Sequence, residues 1–229
     1  MKIEIWSDVM CPFCYIGKRH LEEALEEFPG KEQVEIIWKS FQLNPNIPDQ
    51  VQDNVYQYLA KAKGISYEES VQMHKRVEDM ASHAGLDYHF EKAVVANSFK
   101  AHRVLQLAKR SNRGDELKEA LLHAYFTEGK DISNEQVLIE LAERVGLTAA
   151  DVELALTNEA FANYVNNDIE EARQIRVQGV PFFVFDRKYA VSGAQPVEHF
   201  KATLDQVLAE QQPAAPSEDA DSCDVDGNC

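Results

Sequence analysis

The chain has 229 residues, 45% of them hydrophobic, and a formal net charge of −16. Such a length and apolar content suffice for a substantial core, either as one domain or as a domain carrying a large insertion. The acidic balance argues against nucleic acid and anionic membrane surfaces as partners, since both repel it. No run approaches the roughly 20 apolar residues that span a bilayer, and the N-terminus enters a strand pattern without an apolar signal segment. A cytoplasmic location is therefore expected, where a long-lived structural disulfide is rare and the four cysteines read as catalytic, sensing or metal-binding.

In chain order, residues 2–7 read as a strand and 12–28 as an amphipathic helix. After the turn at Pro29-Gly30, residues 34–40 read as a second strand, giving a βαβ opening. Between strand and helix lies Cys11-Pro12-Phe13-Cys14. A helix beginning at Pro12 puts Cys11 at its N-cap, where free backbone N–H groups and the positive end of the dipole favour a thiolate, and puts Cys14 one turn in. Pro12 suits the first helical position because its missing N–H would have no intrahelical partner there. Cys11 is thus the expected attacking thiol and Cys14 the resolving one. A C-x-x-C pair is also half of a zinc knuckle, but the only other cysteines, Cys223 and Cys229, lack the matching spacing, so no metal is predicted.

A loop at Asn44-Pro45-Asn46-Ile47-Pro48 leads into a stretch from about 52 to 176 without a convincing strand. Capping-box patterns at Ser66-x-x-Glu69 and Ser133-x-x-Gln136 mark helix starts, and Gly64, Gly85, Gly114, Gly129 and Gly146 mark breaks. Lys109, Arg110 and Arg113 read as a solvated helix end. Strand pattern returns at residues 181–185, with a turn at 186–188, a partner at 189–191 and a last helix to about 212. The order βαβ, helices, ββα is that of an α/β thioredoxin fold with a large all-helical insertion between the second strand and the C-terminal ββα unit. The expected boundaries are 1–48 with 160–212 for the thioredoxin-like part, 49–159 for the insertion, and 213–229 for an acidic tail.

Gly179-Val180-Pro181 precedes the third strand, where a proline that cannot donate to the ladder needs a reason. A cis bond there would turn the Val180 backbone toward the dithiol, to pair with an extended substrate as in strand addition; the alternative is a trans proline at the first residue of an edge strand. Asp8 reads either as a proton relay to Cys14, which requires a raised pKa, or as a loop tie accepting backbone N–H groups. His102 reads as a positive partner lining the cleft or as a hydrogen-bonded core residue. Phe13 and Tyr15 are expected to flank the cysteines, with Phe13 offering an apolar substrate contact.

Ser217 to Cys229 holds five acidic residues and no Lys or Arg, a solvated composition. Cys223 and Cys229 within it read as an auxiliary redox pair able to exchange with Cys11. The linker from Gln212 has a flexible span of roughly 18 Å and a limit near 36–40 Å, and tethering gives an effective concentration on the millimolar scale. Ser222-x-Asp224-x-Asp226-Gly227 mimics the start of a calcium loop but lacks the closing glutamate.

Several runs in order carry a family resemblance: Ser7-Asp8-Val9-Met10-Cys11-Pro12-Phe13-Cys14-Tyr15-Ile16-Gly17-Lys18, Phe41-Gln42-Leu43-Asn44-Pro45, Asn97 to Arg103, Ala124 to Ile132 and Gly179 to Phe185. On these the chain resembles the DsbA-family thiol-disulfide oxidoreductases, and within them the FrnE-type subfamily. The resemblance implies dithiol/disulfide exchange by Cys11 and Cys14, a cis-proline role for Pro181, no cofactor, and protein or peptide disulfides as partners. A thiol reductant, glutathione or the thioredoxin system, is a further expected partner. The dipeptide Pro12-Phe13 lacks the histidine of DsbA itself, so Cys11 is expected to be less acidic and the couple less oxidising, by roughly 30 mV per pKa unit. Two alternatives use the same fold or surface: a glutathione-dependent isomerase of the hydroxychromene-carboxylate type, whose relatives carry a lone Ser or Cys, and a non-catalytic holdase.

Overall fold

A computed structural model describes residues 1–48 and 51–211. The strands are β1 (Lys2–Ser7), β2 (Glu35–Ser40), β3 (Phe182–Phe185) and β4 (Tyr189–Ser192), in the sheet order β2-β1-β3-β4. The pairing of β1 with β2 is parallel and its pairing with β3 antiparallel, with Ser7 opposite Ser40 and Trp6 opposite Phe182. Helix α1 (Pro12–Glu26) makes the first crossover, and α9 (Val197–Gln211) follows β4. Between β2 and β3 run α2 (Val55–Lys63), α3 (Tyr67–His83), α4 (Phe99–Arg110), α5 (Gly114–Phe126), α6 (Glu135–Arg144), α7 (Ala149–Thr157) and α8 (Glu159–Gln174). The order is that of a thioredoxin fold with a helical insertion.

Alternation along β1 explains how both sheet faces are covered. Ile3 and Ile5 join Phe183, Phe185, Phe200 and Leu204 in the core against α1 and α9. Trp6 points the other way, packing with Val184 and with Ala172 of α8. A third, larger core fills the insertion and reaches α1 through Tyr15 and Ile16.

The β3–β4 turn has Asp186 and Arg187 at φ 46 and 58, the left-handed pair of a type I′ hairpin turn. Asp186 accepts from the Lys2 backbone N–H at 2.6 Å, while Arg187 pairs with the buried Glu4 and with Glu171. The hairpin is therefore pinned to β1 and α8 by charge as well as by its ladder.

Local signals set most helix ends, with some shifts from the sequence pattern. Helix α1 stops at Glu26 because Phe28 precedes Pro29, whose ring disfavours helical geometry in that residue. Ser66 and Glu69 form the capping box that starts α3. The cap of α6 is Asn134 rather than Ser133: Asn134 Oδ1 accepts from the Gln136 and Val137 N–H groups, and the Ser133 hydroxyl donates to Asp131 instead. Gly114 does not break a helix but begins α5, the break falling at Asn112 with φ 53. Gly129 does turn the chain, at φ 71, and a Cβ there would lie 2.6 Å from the Lys92 carbonyl oxygen.

Two polar networks join the insertion to the sheet unit. Asp168 of α8 accepts from the Ser40 N–H at 2.9 Å and from Gln106 of α4 at 2.6 Å, and pairs with Lys39 and Lys109. Lys109 is thus half-buried and engaged, correcting its reading as part of a solvated helix end; Arg113 pairs locally with Glu116. The second network links α1 to α5, where Glu119 accepts from Tyr15 and pairs with Lys18 at 2.9 Å and with Arg19.

Burial alone would push the Glu119 carboxyl up, but Arg19, Lys18 and the Tyr15 hydroxyl outweigh it and hold it at about 2. That lies below the unfolded value of 4.5, so the stabilisation is complete above about pH 4.5 and is lost as the pH falls from there through 2. Glu119→Gln is expected to shrink the stability difference between about pH 7 and about pH 3 by about 1–2 kcal/mol, allowing for solvent screening. Urea unfolding at both pH values measures it, and an undiminished difference would remove Glu119 from the acid response.

Candidate dithiol active site

The parallel β1–β2 pair and the antiparallel β3 bring three chain segments to one end of the sheet. These are the loop after Ser7, the segment after Ser40, and the residues preceding Phe182. Cys11 leaves the first of them as the N-cap of α1, with extended φ −89 and ψ 111, and Pro12 takes the first helical position. The Cys14 N–H donates to the Cys11 carbonyl at 3.0 Å, closing the first turn on the pair.

Both thiols are free and buried, Cys11 at 3% exposure and Cys14 at 1%. The Cys11 thiol donates to the Val180 carbonyl at 3.3 Å, and the Val180–Pro181 bond is cis. Helix α1 approaches Pro181 through Gly17, where a Cβ would stand 3.0 Å from Pro181 Cγ and 3.1 Å from Phe183 Cζ. The Tyr88 hydroxyl donates to the Pro12 carbonyl at 2.7 Å, tying the insertion to the same turn. Phe13, 38% exposed, and Leu43, 52% exposed, are the large apolar side chains left open on these segments. Tyr15 is not among them: it is buried against Tyr88 and Phe126.

Asp8 is buried beside the dithiol and accepts from the Leu43 N–H at 2.7 Å, the Met10 N–H at 3.4 Å and His102 Nε2 at 3.3 Å. Burial pushes its carboxyl up, but the His102 and Leu43 contacts more than compensate and hold it below the ordinary range. The relay reading of Asp8 requires the opposite shift; its geometry is that of a loop tie joining the 8–10 turn to the segment after β2. His102 likewise does not line a cleft. It is 1% exposed on the inner face of α4, with Nε2 on Asp8 and no hydrogen-bond partner for Nδ1.

Two residues not singled out from the sequence lie under the pair. Ser7 is fully buried, with a hydroxyl that has no partner other than the Cys14 sulfur it can reach. Lys118 of α5 is 1% exposed, its ammonium 5.3 Å from the centre of the Trp38 ring. A signal for Lys118 is present in the sequence: it sits in register with Leu121, Leu122 and Tyr125, the i+3, i+4 and i+7 positions of a buried stripe. A lysine on an apolar face is rarely buried without a charge to meet.

The acidities of the two thiols are linked. Interaction with Cys14, together with burial, pushes the Cys11 thiol well up. Burial also opposes a Cys14 thiolate, but the Cys11 hydrogen bond, the Lys118 charge and the Ser7 hydroxyl overcome it and bring Cys14 down. Of the two, Cys14 is the sulfur whose surroundings ease loss of the proton. Among the described residues no group of three or more His, Cys, Asp or Glu is placed to hold a metal, and no helix is long and apolar enough to cross a membrane. Cys223 and Cys229 lie outside the described residues.

A redox-type dithiol at the head of α1, facing a cis X-Pro bond on a thioredoxin sheet, defines a thiol-disulfide oxidoreductase class of site. The chain belongs to the DSBA-like thioredoxin domain family, whose sequence model matches residues 2–205. It is similar to a solved probable DsbA oxidoreductase from Streptomyces coelicolor, at 37% identity and a TM-score of 0.87, covering 99% of this chain and 97% of that one. It shares its fold with the cytosolic disulfide reductase DsbM of Pseudomonas aeruginosa, at 16% identity and a TM-score of 0.66, covering 92% and 100% of the two chains. DsbM has also been solved with GSH. The uncharacterized protein YwbO of Bacillus subtilis strain 168 is 28% identical over 186 residues, 80% of this chain and 85% of that protein.

The Gly17 approach yields a direct check. Gly17→Val places methyl groups where Pro181 and Phe183 already stand, and overpacking of this kind costs about 1–3 kcal/mol. Thermal unfolding is expected to show that loss together with reduced disulfide exchange, and an unaltered melting temperature would mean that α1 and Pro181 are not in close contact.

Proposed function

We propose that this protein exchanges disulfides with peptide or protein substrates through Cys11, and that it is of the FrnE type. The observation that carries the reading is the Cys11 thiol meeting the backbone carbonyl of Val180 at the cis Val180–Pro181 bond. An extended substrate pairing with the Val180 backbone would lay its own sulfur beside Cys11, with Phe13 and Leu43 as apolar contacts on either side.

Cys11 gives up its proton to solvent, and the Cys11 thiolate attacks one substrate sulfur. The substrate S–S bond breaks, a Cys11–substrate mixed disulfide forms, and the first substrate thiol leaves with a proton. Cys14, deprotonated, then attacks Cys11 Sγ and releases the second thiol. The enzyme dithiol has lost two electrons and two protons, the substrate disulfide has gained them, and the reverse sequence oxidises a dithiol. A Cys14 held in its own electrostatic setting fits a dithiol mechanism better than the lone-thiol isomerase alternative. A cytoplasmic thiol reductant, glutathione or a thioredoxin, would regenerate the dithiol, and the tail pair Cys223 and Cys229 would serve as a second exchange partner. With no titratable group in Pro12-Phe13, the couple is read as less oxidising than that of DsbA.

Insulin reduction driven by dithiothreitol tests the reading. Cys11→Ser is expected to lower the rate at least about a hundredfold, since it removes the nucleophile. Cys14→Ser is expected to accumulate a mixed disulfide at Cys11, visible on non-reducing gels. Full activity in Cys11→Ser would rule the mechanism out.

A further inference from the structure

A groove lies between the two parts of the chain, lined by the segment after β2, the start of α4 and one face of α8. It consists of two hollows of about 580 and 500 Å³ that share Gln42, Pro45 and Asn166, so that one opens into the other. Each alone is in the size range of a ligand site. Val177 and Phe41 mark the end nearer the dithiol. Phe41 and Val180 pack against the same cluster of Trp6, Ala172, Val177 and Val184, which places this end beside the backbone that Cys11 meets. Phe99 and Lys100 mark the far end.

The chemistry of the lining selects the occupant. Its two cations already stand against carboxylates, Lys100 on Glu135 at 2.8 Å and Arg173 on Glu170 at 3.4 Å, so an anionic ligand would have to break one of these pairs. What is left is amide and apolar: the exposed Asn166 and Asn167 side chains, Gln42, and the Phe41 and Phe99 rings. Asn97 holds this surface in shape, donating to the Pro45 and Ile47 carbonyls at 3.2 and 2.9 Å and accepting from Gln42 Nε2 at 3.0 Å. Amides that both give and take hydrogen bonds, set between apolar rings, match a polypeptide backbone and its side chains. From Asn166 to the last residue of α8, Gln174, the wall is about 12 Å long, the reach of about four residues of extended chain.

We propose that this groove takes the extended chain flanking the substrate's cysteine, so that the enzyme selects disulfides carried by unfolded polypeptide. The inference deepens the disulfide-exchange reading and rests on it. A substrate paired with the Val180 backbone continues past Val177 and lies along α8 between Phe41 and Phe99. A cysteine embedded in a folded domain has no free strand to place there, and a small disulfide does not reach beyond the near end. Binding drawn from these remote residues raises kcat/KM for an extended peptide above that for a small disulfide.

The test compares oxidised glutathione with synthetic peptides whose single cysteine is in mixed disulfide with glutathione and is extended by about five residues on one side or the other. Extension on one side is expected to raise kcat/KM at least about tenfold. Asn166→Trp fills the groove where its two hollows meet, from an exposed helix position, and is expected to lower the ratio of the peptide rate to the glutathione rate at least about fivefold. An unchanged ratio, whether both rates fall together or neither does, would overturn the proposal. A second measurement leaves the groove intact: the peptide is trapped on Cys11 of Cys14→Ser, with a benzophenone side chain about four residues from its cysteine. Photo-crosslinking is expected within 41–45, 97–100 or 166–173, and crosslinks confined to other segments would overturn the assignment. If the wild type exchanges with none of these disulfides, the dithiol reading fails; if it exchanges and extension on neither side changes the rate, the groove assignment alone fails.

Discussion

The register of β1 between its two neighbours decides where everything else in the molecule falls. Ser7 opposite Ser40 in the parallel pair, and Trp6 opposite Phe182 in the antiparallel one, make three chain ends converge on one edge. A slip of one residue would reverse the faces of Ile3, Ile5 and Trp6 and carry Cys11 away from Val180. The slip is resisted from both sides, by the Ile3, Ile5, Phe183 and Phe185 core and by the Trp6 indole donating to the Asp168 carbonyl at 2.9 Å. The placement of the dithiol is thus held by ordinary strand packing.

The insertion is joined to this edge by charge rather than by a shared sheet. Asp168 gathers Ser40, Gln106, Lys39 and Lys109 into one buried contact. Burial by itself would keep that carboxyl protonated more readily, yet the two lysines and the Ser40 and Gln106 donors hold it below the ordinary range. Glu119 plays the matching part on the other flank with Tyr15, Lys18 and Arg19. Both anchors sit near buried polar residues: Glu119 follows Lys118, and Gln106 lies one turn beyond His102, whose Nε2 meets Asp8. The helical part also reaches the dithiol turn directly, through the Tyr88 hydroxyl on the Pro12 carbonyl.

How much of this can be read from the sequence follows the range of the forces involved. The βαβ opening, the β3–β4 hairpin and the Ser66 cap are decided by neighbours within a few positions, and alternation, turn residues and capping spacing report them. The choice between Ser133 and Asn134 as the α6 cap turns on Asp131 capturing the serine hydroxyl, a contact that competes at the same spacing. Lys109, Asp8 and His102 are ambiguous in the sequence because their partners, Asp168, Leu43 and Asp8 in turn, lie between 35 and 94 residues away. Lys118 stands in plain view on an apolar stripe, but periodicity tells only that it is buried, and not that the Trp38 ring lies under its ammonium.

The distance along the chain between the two halves of the site has a consequence for its biosynthesis. Cys11 meets a carbonyl 169 residues further on, so a chain emerging from the ribosome displays its thiols long before it owns the strand that completes their surroundings. During that interval the pair has α1 but neither Val180 nor β3, and β1 lacks one of its two neighbours. Contacts of such long range form late and slowly. The nascent protein is for that time a client of disulfide chemistry, and becomes an agent of it only when the last hairpin closes.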